Sequence, residues 1–186
     1  AQGIAPAGTV AVSFLLLNVD FAGGENPIWF DTSQATVISG EPPPLAQIDL
    51  PVTFDDPLVD YTVIDFGDPV AAATGLGEDP GDAGNTVAIT TKPAGAPFWA
   101  GTTIGNPGFA NPIPFTADST TMSVDVRVPA AGIPVRLKVE TADCPSDGSD
   151  VTCFAELDAF PMMADAWETL TWDFSLVGID TAKTFE

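Results

Sequence analysis

Thr121-Met-Ser-Val-Asp-Val-Arg-Val128 and Val135-Arg-Leu-Lys-Val-Glu140 alternate apolar and polar side chains. Met122, Val124, Val126 and Val128 share one face of the first run, while Ser123, Asp125 and Arg127 share the other. Val135, Leu137 and Val139 repeat the pattern, with Arg136, Lys138 and Glu140 between them. A period of two, rich in β-branched residues, predicts a half-buried antiparallel strand. Pro129-Ala-Ala-Gly-Ile-Pro134 joins the runs, and its Gly and Pro residues suit a connection rather than a ladder. Residues 112–139 therefore read as one long β-hairpin, with Val128 opposite Val135.

Further strands are expected on both sides of this hairpin. Residues 9–21 form one, with Val10, Val12, Phe14 and Leu16 on one face and Leu15 and Leu17 making the other face apolar too. A strand apolar on both sides must be covered on both sides. Ile28-Trp-Phe-Asp31 starts a second strand, and Glu41-Pro-Pro-Pro44 stiffens the chain toward polyproline II. Residues 48–54, 60–66, 87–91, 98–104, 153–157 and 167–174 read as strands. Residues 67–84, 105–114 and 160–165 read as loops or turns, and 177–186 as a polar tail. In the last strand Leu170, Trp172 and Phe174 point inward. No segment carries a helical period, and 18 prolines and 17 glycines punctuate the short strands. The expectation is an all-β fold, an antiparallel β-sandwich of jelly-roll type. It divides into an N-terminal hairpin arm (1–38), a Pro-rich linker (39–46) and a sandwich body (47–186).

The 186 residues hold 26 acidic and 5 basic side chains and no histidine, a net charge of −21. Such a chain lacks the Lys and Arg that phosphate backbones require, so a nucleic-acid partner is not expected. No apolar run is long enough to span a bilayer, so membrane insertion is not expected. The apolar content argues against disorder, and the acids keep a secreted or salt-adapted surface soluble. Cys144 and Cys153 flank a turn-rich loop and are placed for a disulfide, which implies an oxidising, extracytoplasmic setting. Two thiols without histidine fall short of a zinc site.

From residue 48 onward several motifs resemble one family. They are Leu50-Pro-Val-Thr-Phe-Asp-Asp56, Val59-Asp-Tyr-Thr-Val63, Asp65-Phe-Gly67, Trp99-Ala-Gly-Thr-Thr-Ile104, Ile113-Pro-Phe-Thr116, Gly132-Ile-Pro-Val-Arg-Leu-Lys-Val139 and Ala166-Trp-Glu-Thr-Leu-Thr-Trp-Asp-Phe174. Together they resemble the carbohydrate-binding-module-like jelly rolls of secreted glucan-degrading enzymes and surface proteins of marine bacteria. The resemblance implies a β-sandwich, an extracellular or cell-surface setting and no catalysis. It also implies a structural calcium, for which the matching positions are Asp55 or Asp56, and Asp31, with the Asp- and Gly-rich loops 77–84 and 143–150 as looser candidates. In that family two further strands close the domain after the tryptophan strand, whereas this sequence stops at Thr184-Phe-Glu186. Residues 9–21 and 28–31 look like the missing pair, placed at the front, so the domain is circularly permuted, cut out of a repeat array, or lends its front hairpin to the next copy.

Two functional expectations follow. The first is a structural subunit or repeat that assembles with copies of itself into a head-to-tail filament. The apolar arm, through Val10, Val12, Phe14, Leu16 and Trp29, completes a neighbour's sheet by donor-strand exchange. The second is a carbohydrate-binding module for a polysaccharide such as a β-glucan. Trp99 then serves as a stacking platform, and Arg127, Arg136 and Lys138 share one face of the hairpin, a positive patch that hydrogen-bonds a sugar or meets an acidic neighbour in an assembly. An enzyme is not expected. Without histidine there is no serine-type triad, and among 26 acids some pair lies at a glycosidase-like separation by chance.

Overall fold

A computed structural model describes residues 44–186 apart from 146–148. Leu45–Glu186 form one compact unit. The unit is all-β, with ten strands: β1 (Ala46–Gln47), β2 (Val59–Asp60), β3 (Val63–Phe66), β4 (Ala73–Asp79), β5 (Asp82–Thr91), β6 (Gly101–Ile104), β7 (Thr121–Arg127), β8 (Val135–Glu140), β9 (Phe154–Ala159) and β10 (Trp167–Asp173). A 3₁₀ turn, Phe174–Val177, follows β10, its first amides capped by the Asp173 side chain, which accepts from Ser175 N–H. Among the described residues the strands pair two by two. The ladders β3–β6, β4–β5, β7–β10 and β8–β9 are antiparallel, and the short β1–β2 pair is parallel.

The expected central hairpin is not formed. β7 and β8 do not pair with each other; each takes a later strand instead. β10 offers β7 a seven-residue partner that sets Leu170 against Val124 and Trp172 against Met122. β9 offers β8 complementary charge, with Asp158 opposite Arg136 and Glu156 opposite Lys138. Direct β7–β8 pairing with Val128 opposite Val135 would match Asp125 to Lys138 but set Arg127 against Arg136, and like charges directly opposite disfavour a register. The connection is instead held by Gly132, whose N–H donates to Pro161 C=O at a φ of 77° that suits glycine.

The main core sits where β7–β10 and β8–β9 meet. Trp172, Phe174 and Phe185 are its largest fully buried side chains, joined by Ile113, Val139, Ala155 and Leu170. Phe115 lies edge-on to Phe174 and Phe185, with ring centroids 5.7 and 5.9 Å away. Buried Trp172 still satisfies its indole N–H, which donates to Val135 C=O at 3.2 Å. The C-terminal stretch, expected to be a polar tail, belongs to this core. Ile113 N–H donates to Phe185 C=O, Glu186 N–H donates to Glu140 C=O, and Phe185 bridges Thr141. One aromatic in a polar stretch has no period to betray it.

Several strand boundaries differ from the sequence reading for local reasons. Residues 48–54 do not form a strand, because the Asp49 side chain captures Leu50 N–H, Pro51 has none to offer, and Phe54 takes a φ of 63°. The run 60–66 is split by Asp60, whose carboxylate accepts from Thr62 N–H. Of residues 98–104 only Gly101–Ile104 is strand. The supposed loop 67–84 contains β4 and the start of β5. Gly77 reads as a loop residue but serves packing: a Cβ there would meet Ile89 Cδ1 at 2.8 Å.

Candidate functional site

The expected basic face is taken apart by the strand pairing. Arg127 lies on β7, and Arg136 and Lys138 on β8, in different ladders. Arg136 grips Asp158 through both ends of its guanidinium, at 2.7 and 2.9 Å, and reaches Glu156 at 3.2 Å. These bonds raise the guanidinium above its already high ordinary value and hold Asp158 below the usual carboxylate range. Lys138 pairs with Glu140 and lies over the Phe154 ring, 4.2 Å from its centroid. The other lysines are held too: Lys92 donates to Phe98 C=O and Lys183 to Thr152 C=O. Arg136 and the three lysines are held in internal contacts, while Arg127 on β7 lies in a separate ladder.

Trp99 is 49% exposed and its neighbour Phe98 is 87% exposed. They sit on the loop before β6, shaped by two turns in which Ala96 N–H donates to Pro93 C=O and Ala100 N–H to Pro97 C=O. Asp55 and Asp56 lie elsewhere, on an open groove of about 510 Å³ walled by Phe54, Tyr61, Leu76 and Thr86. The Phe54 and Tyr61 rings stand 5.3 Å apart, tilted by 52°. Phe54 was missed in the sequence, since nothing there signals that its backbone turns left-handed and swings the ring toward Tyr61. Asp55 accepts from Thr86 N–H at 2.7 Å and Asp56 from Leu58 N–H at 2.9 Å, so one oxygen of each is already engaged. Calcium takes six to eight oxygens. Among the described residues no three acidic or cysteine side chains are grouped to hold a metal. Asp31, the remaining member of the expected set, lies outside the described residues.

Cys144 and Cys153 are joined, with Cα atoms 5.2 Å apart. The bridge lies at the ends of β8 and β9, where Thr141 N–H donates to Cys153 C=O and Cys153 is buried. It ties the core's edge to the loop that follows β8.

The strand edges and faces are the most distinctive surface of the unit. A two-stranded ladder leaves one edge of each strand without a ladder partner. On β3 and β6, Ile64, Phe66 and Ile104 are exposed, and on β4 and β5 so are Leu76 and Ile89. On the β7–β10 ladder burial falls sharply from one strand to the next: Leu170 is 5% exposed, yet its cross-strand neighbour Val124 is 41% exposed. The donor residues expected in the sequence, Val10, Val12, Phe14, Leu16 and Trp29, lie outside the described residues.

Among the described residues no helix is long and apolar enough to cross a membrane. No protein-family model matches the chain, and no curated protein or solved structure is similar enough to be matched to it.

Proposed function

We propose that this protein is an extracellular, non-catalytic β-sandwich of jelly-roll type that serves as a structural subunit. Copies join head to tail, with residues 9–31 of one completing the sheets of the next. The observation that carries this reading is the set of core-type side chains left on ladder faces. Val124, Ile64, Phe66, Leu76 and Ile89 alternate as buried strand residues do, yet all are exposed. Strand addition covers such faces and satisfies edge amides at once. The sequence holds a suitable segment in residues 9–17, which carry no charge in a chain of net charge −21. The disulfide agrees with an extracytoplasmic setting.

The test is the mass of the full chain by light scattering, in calcium and in a chelator. Assemblies several times heavier than 19.2 kDa are expected. A homogeneous 19.2 kDa species at all concentrations would overturn the reading.

A second reading, polysaccharide binding, is favoured by the exposed Phe98–Trp99 pair, since sugar faces stack on aromatic rings. Affinity electrophoresis through gels containing β-glucans tests it. Retardation that Trp99→Ala abolishes supports it, and unretarded migration across a polysaccharide panel removes it.

A further inference from the structure

We infer that the open edge of β7 is the acceptor, and that it receives residues 10–16 of a second copy as an added strand. The inference rests on the strand-donation reading above and names where the donated strand docks.

The geometry of β7 determines what its edge offers. Phe174 N–H donates to Thr120 C=O at 3.0 Å, one step beyond the paired residues Asp173 and Thr121. In an antiparallel ladder the residues that exchange hydrogen bonds alternate with those that do not. The N–H and C=O groups of Met122, Val124 and Val126 therefore point to β10. Those of Thr121, Ser123, Asp125 and Arg127 point the other way, to an edge with no strand partner among the described residues. The side chains tell the same story. Trp172 and Leu170 on β10 are buried, while their neighbours Met122 and Val124 on β7 are half-buried and exposed. The core thins toward β7, as it would if the next strand were missing from that side.

Residues 10–16 match the open edge in four ways. They number seven, as does β7. Val10, Val12, Phe14 and Leu16 form one apolar face that would continue the row of Met122, Val124 and Val126 over the core. Ala11 and Ser13 on the reverse face would lie beside Ser123 and Asp125, with Leu15 the one large apolar side chain on that face. The segment is uncharged, so it approaches an acidic body without like-charge repulsion.

The test uses the full chain carrying a photo-crosslinking residue at Ser13, prepared as an equal mixture of ¹⁴N- and ¹⁵N-labelled protein. Crosslinked peptides joining residues 9–21 to 121–127 are expected, with about half carrying mixed isotopes. Crosslinks to 121–127 within single chains only would overturn the second-copy occupant and the assembly reading with it. Mixed-isotope crosslinks to another strand would overturn the β7 edge while leaving strand donation standing. Ser123→Pro gives an independent arm: it removes an N–H aimed at the open edge and spares the β10 bonds. With Trp172 fluorescence unchanged, assemblies are expected to fall to 19.2 kDa. Assemblies that persist with the parent mass would overturn the proposal.

Discussion

The Trp167 indole N–H donates to Asp79 Oδ1 at 3.0 Å, across 88 residues of sequence. Asp79 ends β4 and its carboxylate also accepts from Gly81 N–H at 2.7 Å and from Asn85 Nδ2 at 3.0 Å. One buried carboxylate thus shapes the β4–β5 turn and fastens it to the start of β10. Trp167→Phe keeps the ring and removes the donor. We expect a Tm lower by roughly 2–4 °C, with faster amide exchange along β4 and β5 and unchanged exchange along β8 and β9. Unaltered exchange in β4 and β5 would show that the bond does not fasten the hairpin.

Asp79 also predicts part of the acid response. Its carboxyl lies below the ordinary value of 3.8, chiefly through the Gly81 amide, then the Trp167 and Asn85 donors, with the Arg127 charge adding to them. A depressed folded-state pKa contributes stability that is fully present above the unfolded value and is lost as pH falls through the folded one. Asp79→Asn is therefore expected to be less stable than the parent at pH 6. The difference should shrink from about pH 4 downward as the parent's carboxylate protonates. Urea titrations at pH 6, 4 and 2.5 measure it, and a difference that stays constant would contradict the assignment.

Phe185 is 2% exposed although it stands one residue from the end of the sequence. Phe185→Ala opens a cavity beneath Phe115 and should cost about 3–5 kcal/mol. Thr184→Ala, at an exposed neighbour, should cost about 0.5 kcal/mol or less. Equal midpoints for the two variants in urea would show that Phe185 does not hold the core.

The Cys144–Cys153 bridge closes a short loop, with a sequence separation of 9. Replacing both cysteines with serine should lower stability by roughly 2–3 kcal/mol. Because Cys153 is buried beside the β8–β9 ladder, the loss should appear first as faster amide exchange at Thr141 and Phe154. Protection there equal to the parent's would place the effect in the unfolded chain alone.

Much of the fold is legible in the alternation of single segments. Residues 121–127, 135–140 and 167–173 are strands in the structure, and Trp172, in phase with Leu170 and Phe174, is core. The disulfide was legible too, since a turn-rich loop between two cysteines brings their backbones together. Less legible were β4 and β5. Gly75 and Gly77 read as punctuation, yet both are strand residues, and the missing side chain of Gly77 makes room for Ile89. The candidate basic face failed for a related reason. Arg127, Arg136 and Lys138 share a sequence pattern, but a pattern does not say which strand lies opposite.

The sequence alone determined that this chain makes short strands joined by Gly- and Pro-rich turns, and which side chains share each strand face. Both follow from backbone geometry with a range of a few residues: the period of two, the fixed φ of proline and the missing N–H. Tertiary structure alone decided the partners. Every strand presents the same amides to any other, so backbone hydrogen bonds do not discriminate among them. The choice of β10 for β7 and of β9 for β8 came from burial of Leu170 and Trp172 and from the Arg136–Asp158 charge match. The fate of Phe185 was decided the same way, by its backbone bond to Ile113 and ring contact with Phe115, residues distant in sequence.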